Sequence, residues 1–250
     1  MKIAKLDGGP EIFLSIQGEG PSAGLPCVFV RCSTCNLYCV WCDTDYTWNW
    51  EGTKFRHRRE QENGYQKYRQ AELIVEMAPA AVAEQVHRFS CRNVILTGGE
   101  PLLQQNAIVE MMATLRSFEE DYWFEAETNG TLLPTAEFDR LVDQYNVSPK
   151  LRNAGISATQ REKPPAIRFF AECAKAYFKF VIAEAEEIAE VQQLEQAYEL
   201  ARQRIYLMPE STTTSELRAR SLWLTELCKQ HGYRFSDRLH VHLYGSQRGR

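Results

Sequence analysis

No run of about 18 apolar residues occurs in the chain, so no membrane-spanning helix is expected. The opening residues, Met1 to Asp7, lack the long apolar core of a signal peptide. Nor is there a basic excess: the net charge is -4, so no global positive field points to nucleic acid. Internal repeats and low-complexity segments are absent as well, which excludes solenoids and arrays. The expectation is a cytoplasmic protein with neither a membrane nor a nucleic-acid partner. In a reducing compartment its eight cysteines are not expected to form a disulfide framework. With 250 residues, 44% of them hydrophobic, the chain can bury one large core.

Four of the cysteines crowd together: Cys32, Cys35, Cys39 and Cys42. The other four, Cys27, Cys91, Cys173 and Cys228, are scattered and read as small buried residues. Cys35, Cys39 and Cys42 have the spacing C-x3-C-x2-C. Electron-transfer clusters use four cysteines, one per iron. Three thiolates on a cubane leave one iron without a protein ligand, and an open position marks a catalytic metal site. A molecule carrying an amine and a carboxylate can chelate there, and the methionine end of S-adenosylmethionine (SAM) has both. Two alternatives are weighed. All four cysteines as two C-x-x-C pairs could form a zinc site, although such pairs usually flank a longer loop. A redox C-x-x-C pair leaves the third cysteine unexplained. Cys32 is assigned to core packing.

Along the chain, short apolar runs alternate with amphipathic stretches. Strands are expected at Cys27–Arg31, Asn93–Thr97, Tyr122–Thr128, Tyr177–Ile182, Arg204–Met208 and Leu239–Leu243, with a weaker one ending at Ser148-Pro149-Lys150. Helices are expected at Asn106–Phe118, Thr135–Gln144, Ala185–Gln203 and Ser215–His231. The alternation argues for an α/β protein with a parallel sheet. Asp45 to Gln70 breaks the rhythm: it is polar, aromatic and charged, and reads as an insertion covering the site or as solvated surface. Each unusual cluster follows a strand: the cysteines, Thr97-Gly98-Gly99-Glu100-Pro101, Glu127-Thr128-Asn129-Gly130, Ser148-Pro149-Lys150 and Met208-Pro209-Glu210-Ser211. Carboxyl ends of parallel strands are where α/β active sites are built.

The cysteine spacing, with Trp41 before the last cysteine, and the Gly98-Gly99-Glu100 turn resemble the radical SAM superfamily. Ser15-Ile16-Gln17-Gly18-Glu19-Gly20, the segment Cys35-Asn36-Leu37-Tyr38-Cys39-Val40-Trp41-Cys42-Asp43-Thr44 and Val147-Ser148-Pro149-Lys150 resemble the 7-carboxy-7-deazaguanine synthase family within it. The resemblance runs from about Glu11 to the C-terminus, interrupted at Asp45 to Gln70 and loose after Lys150.

That resemblance implies a partial, TIM-like barrel of parallel strands, one domain over 1–250 with an insertion at about 45–70, and a homodimer. It implies a radical SAM lyase converting 6-carboxy-5,6,7,8-tetrahydropterin to 7-carboxy-7-deazaguanine with loss of ammonia, in queuosine or deazapurine biosynthesis. A 4Fe-4S cluster, SAM and Mg2+ are the implied cofactors, and flavodoxin or ferredoxin the implied electron donor. Carried over residue by residue, Cys35, Cys39 and Cys42 hold the cluster and Thr44 the Mg2+. Tyr38, Gly99, Glu100, Ser148, Pro149 and Lys150 match the SAM contacts. Ile16, Gln17, Gly18, Arg31 and Thr97 match substrate contacts, with Arg31 suited to a carboxylate. Glu127 matches the acidic group placed for pterin binding or proton transfer. Thr34 departs from the family's glycine, and Met208 from its glutamine. The basic tail ending at Arg250 stands where some members use their terminal carboxylate on the substrate. His240 and His242 are expected on one face of the last strand.

Two other functions are weighed. Glycyl-radical-activating enzymes share the cysteine spacing, but Gln17-Gly18-Glu19-Gly20 and Cys42-Asp43-Thr44 argue against that class. A non-enzymatic zinc-binding module remains the third reading.

Overall fold

The computed structural model describes residues 1–250. Its eleven strands form one sheet: β1 (Lys2–Leu6), β2 (Gly9–Pro10), β3 (Ile12–Ile16), β4 (Pro26–Cys32), β5 (Ile74–Glu76), β6 (Asn93–Gly98), β7 (Trp123–Thr128), β8 (Gln144–Val147), β9 (Ala176–Ile182), β10 (Ile205–Pro209) and β11 (Arg234–Phe235). From β4 through β6, β7, β8, β9 and β10 to β11, every neighbouring pair is parallel. The run does not close on itself: β11 pairs only with β10, while β4 is flanked by antiparallel β3 and β1. This is the expected incomplete barrel.

Helices Pro79–His87, Gln105–Phe118, Pro164–Glu172, Ile188–Ala197 and Thr214–His231 cover the sheet. The central strands read as continuous apolar runs because both faces are covered, and Val94, Ile95 and Leu96 are all fully buried. Each such side chain contributes about 1.5–3 kcal/mol on burial. No helix is long and apolar enough to cross a membrane.

Three expectations are corrected. Leu239–Leu243 is not a strand but part of the helix Leu239–Tyr244. Five residues of alternating polarity fit one helical turn as well as a strand, and here Val241 is the buried member. His240 and His242 therefore diverge, His240 lying 3.8 Å from Glu19 and His242 3.2 Å from Asp237. The helix expected over Thr135–Gln144 ends at Leu141, and Gln144 already belongs to β8. The helix expected over Ala185–Gln203 covers Ile188–Ala197, and Arg202–Arg204 is a separate 3-10 turn. The short antiparallel strands β1, β2, β3 and β5 extend the parallel run at its β4 edge.

The segment 45–70 is packed at its start and at His57, while most of 51–70 is exposed to solvent. Its organiser is Asp45, 1% exposed, which accepts hydrogen bonds from Tyr65 Oη at 2.6 Å and Tyr68 Oη at 3.3 Å. His57 Nδ1 lies 3.5 Å from Asp45, and its Nε2 lies 2.9 Å from the Cys42 carbonyl. Arg58 N donates to the Val40 carbonyl at 2.8 Å. The segment thus rests on the cysteine loop that precedes it.

Candidate active site

The ends of β4, β6, β7, β8, β9 and β10 open into one cavity of about 750 Å³. Cys35, Cys39 and Cys42 line it, whereas Cys32 is fully buried in the main core. Behind the three thiols stands an apolar shell of Leu37, Ala154 and Ile156. Burial pushes the Cys39 thiol up to about 12, although Lys150 nearby pulls the other way. Cys35 and Cys42 are raised too, again chiefly by burial. No three His, Cys, Asp or Glu side chains gather closely enough to hold a single ion. A cubane instead takes its thiolates at separate corners, and three soft donors on one wall of the cavity suit it. With Cys32 in the core, the four-cysteine zinc arrangement has no fourth ligand.

Why the loop adopts this path follows from two glycines. Gly98 has φ +116°, which side-chain-bearing residues rarely adopt, and a Cβ there would strike the Cys32 backbone. A Cβ on Gly99 would strike the Thr34 carbonyl. Their absence lets the two loops lace together: Gly99 N donates to Cys32 O and Glu100 N to Thr34 O, both at 2.9 Å. Thr34 itself has φ +72°. A left-handed non-glycine residue costs about 1–2 kcal/mol, partly offset by the chain entropy a glycine would lose. Thr34→Gly is therefore expected to stabilise the fold by about 0.5–1 kcal/mol, read from the urea midpoint; an unchanged midpoint would show Thr34 to be unstrained.

On the substrate side, Ile16, Gln17, Arg31, Thr97 and Glu127 line the cavity. Arg31 commits its Nε to Glu11 Oε1 at 2.9 Å, and its two terminal nitrogens make no protein hydrogen bond. Burial works to lower its pKa, but Tyr46 and Glu11 outweigh it and keep the guanidinium charged. Thr97 Oγ1 donates to Glu127 Oε2 at 2.5 Å, and Gln17 Nε2 to Glu127 Oε1 at 3.2 Å. The same Gln17 amide reaches Glu125 Oε1 at 2.7 Å. Burial first, then Glu127, pushes Glu125 up to about 7. Gly99, Ser148, Lys150 and Thr44 also line the cavity, with Lys150 Nζ bonded to Ser148 Oγ at 2.9 Å. Thr44 Oγ1 lies 3.4 Å from Cys42 Sγ.

Four expected residues lie off the cavity wall. Gly18 packs under the His240 ring, and its carbonyl accepts from Leu239 N at 2.9 Å. Tyr38 stacks on Phe55 of the insertion, with ring centroids 3.8 Å apart. Pro149 is buried. Glu100, expected at an ammonium, is fully buried and spends its carboxylate on Leu102 N, Thr128 Oγ1 and Asn129 N at 2.7–3.1 Å. These bonds brace the turn after β6.

At the rim the structure adds Lys179 and Arg238, which the sequence does not single out, to Glu19 and His240, which it does. Glu19, Lys179, Arg238 and His240 meet at the rim. Burial works to raise the Glu19 carboxyl, but Lys179, Arg238 and His240 together hold it well below the usual range. The tail also belongs to the wall: Arg248 bonds Glu11 Oε2 at 2.5 Å, its guanidinium lies over the Tyr46 ring, and Arg250 lines the cavity. Lysine in the middle of a strand is a signal that sequence offers, because β9 is otherwise apolar; distant pairs such as Arg238 with Glu19 leave none.

The radical SAM superfamily model matches residues 30–156. The 7-carboxy-7-deazaguanine synthase of Pyrobaculum aerophilum is 36% identical over 243 residues, covering 96% of each chain. That of Rhodopirellula baltica is 32% identical, covering 96% of this chain and 87% of its own. A crystal structure of QueE from Escherichia coli superposes with a TM-score of 0.64 at 21% identity, over 96% of this chain and 95% of that one, and so shares the fold. The chain belongs to the 7-carboxy-7-deazaguanine synthase family of radical SAM enzymes.

Proposed function

We propose that this single-domain chain converts 6-carboxy-5,6,7,8-tetrahydropterin to 7-carboxy-7-deazaguanine with release of ammonia. One observation carries the reading: three cysteine thiols share a cavity with a carboxylate-seeking arginine and a hydrogen-bonded carboxylate. Cys35, Cys39 and Cys42 would hold a 4Fe-4S cluster, and Thr44 would offer a hard oxygen to Mg2+. When bound, the cluster and SAM supply homolytic bond cleavage and hence hydrogen abstraction from the substrate.

The chain's own residues do the rest. Arg31 holds the substrate carboxylate through its two unpaired terminal nitrogens, a bidentate geometry that lysine cannot offer. Glu127, fixed by Thr97 and Gln17, accepts from the amino edge of the pterin or takes the proton released at its carbon. Ile16 and Gln17 close the substrate side. Gly99, Ser148 and Lys150 hold SAM, and Lys150 supplies a positive charge beside Cys39. Glu100 and Tyr38 support these groups from behind. On the same reading the enzyme is a cytoplasmic homodimer served by flavodoxin or ferredoxin.

The test is an anaerobic assay of reconstituted protein with carboxytetrahydropterin, SAM, Mg2+ and a reductant. Appearance of 7-carboxy-7-deazaguanine supports the reading; SAM cleavage without it, on a protein substrate instead, overturns it. Thr44→Ala is expected to raise the Mg2+ concentration for half-maximal rate about tenfold, the equivalent of about 1.4 kcal/mol, and to leave SAM affinity unchanged. An unaltered Mg2+ titration would remove Thr44 from the site.

A further inference from the structure

A chain of charges alternating in sign crosses the cavity rim: Asp43, Arg238, Glu19, Lys179 and Glu127. Asp43 directly follows the last cysteine of the cluster loop. Arg238 stands at the head of the C-terminal helix, only 7% exposed. Its Nε donates to Glu19 Oε1 at 2.9 Å, one terminal nitrogen pairs with Asp43 Oδ2, and the other donates to the Ser211 carbonyl after β10. Lys179, on β9, pairs with Glu19 Oε2 and lies 3.8 Å from Glu127 Oε1.

Taken together, these contacts have Arg238 binding three segments that sequence places far apart: the one before β4, the cluster loop and the loop after β10. A guanidinium so buried has lost its hydration and is stable only with matched acceptors in fixed directions. The three acceptors belong to three segments, and a guanidinium reaches them from three separate nitrogens in a fixed planar fork, whereas an ammonium gathers its three donors on one atom.

We infer that Arg238 is a positioning residue of the reaction, acting through Glu19 and Lys179 on the Glu127 carboxylate and through Asp43 on the loop that carries Cys42 and Thr44. The two halves of the cavity are thereby held in one register. This rests on the proposed reaction for its readout, though the contacts themselves do not. Arg238 lines the cavity but bonds none of Arg31, Thr97, Glu127 or the cluster thiols, so its influence on them is geometric. Small misplacements at a distance are enough to cost about 100-fold in rate.

The test uses Arg238→Ala and Arg238→Lys in the full chain, with two readouts. The first is kcat/KM of the reconstituted enzyme; the second is equilibrium binding of 6-carboxypterin, a fluorescent substrate-shaped probe, to protein without cluster. Arg238→Ala is expected to lose about 100-fold in kcat/KM with unchanged iron content and far-UV circular dichroism. Probe affinity falls in parallel, and millimolar guanidinium restores both in a saturable way because it re-enters the vacated pocket. Arg238→Lys keeps the charge but gathers its donors on one nitrogen, stays impaired, and is not rescued. Normal kcat/KM in either variant overturns the inference, as does a loss in folded Arg238→Ala that guanidinium leaves untouched. If Arg238→Ala does not fold, Arg238→Lys decides by the same criterion. A parent enzyme that makes no deazaguanine defeats the proposed reaction, whereas guanidinium-dependent probe binding still judges Arg238 alone.

Discussion

Cys39→Ala is expected to abolish SAM cleavage outright while leaving the fold in place. The thiol is 6% exposed and sits in a small satellite cluster with Leu37, Ala154 and Ile156, apart from the main core. Losing one buried sulfur there costs about 1 kcal/mol, a minor fraction of a domain's stability. Chemically the loss is complete, because three thiolates are the fewest that keep a cubane in place with one iron open. Anaerobic turnover with dithionite, followed by chromatography for deoxyadenosine, checks this. Sustained deoxyadenosine production by the variant would show that the cluster is held elsewhere.

Gly98→Ala is expected to be the most disruptive substitution outside the cysteines. At φ +116° an alanine is strained wherever it is placed, and this one would also drive its methyl into the Cys32 backbone. The two penalties together amount to about 3 kcal/mol or more. Cys32 and Gly98 are register partners in the β4–β6 pair, so relief requires the strand ends to separate. The cysteine loop would move with them, since Gly99 N and Glu100 N are bonded to Cys32 O and Thr34 O. A lowered urea midpoint together with reduced iron incorporation is the expected result. Full iron content at parental stability would mean that the loop is not braced by this turn.

Much of this arrangement is legible in the sequence, for physical reasons. Strands β4, β6, β7, β9 and β10 are packed between neighbouring elements, so they appear as short apolar runs, interrupted only by residues such as Arg31, Glu125, Glu127 and Lys179 that face the cavity or its rim. The motif at each carboxyl end then marks the site. The short antiparallel strands near the N-terminus carry no such mark: Leu14 on β3 is 48% exposed, and β2 and β5 span two and three residues. Leu239 to Leu243 misleads because a five-residue alternation does not separate strand from helix. Among the expected site residues, Cys35, Cys39, Cys42, Arg31, Thr97, Gly99, Glu127, Ser148 and Lys150 line the cavity to which the motifs point. Glu100 does not, because the same turn that brings Gly99 to the cavity rotates its neighbour inward onto Asn129 N. The rim charges Lys179, Arg238 and Glu19 are joined only by folding, across 160 and 219 positions of sequence.

The central claim is that three thiolates leave one iron of the cluster free for SAM. Mössbauer spectroscopy of the anaerobically reconstituted protein, recorded with and without SAM, addresses it directly. The account predicts that one iron site in four changes its isomer shift when SAM is added, while the other three keep theirs. Four sites that ignore SAM, or a single zinc in place of iron, would contradict it.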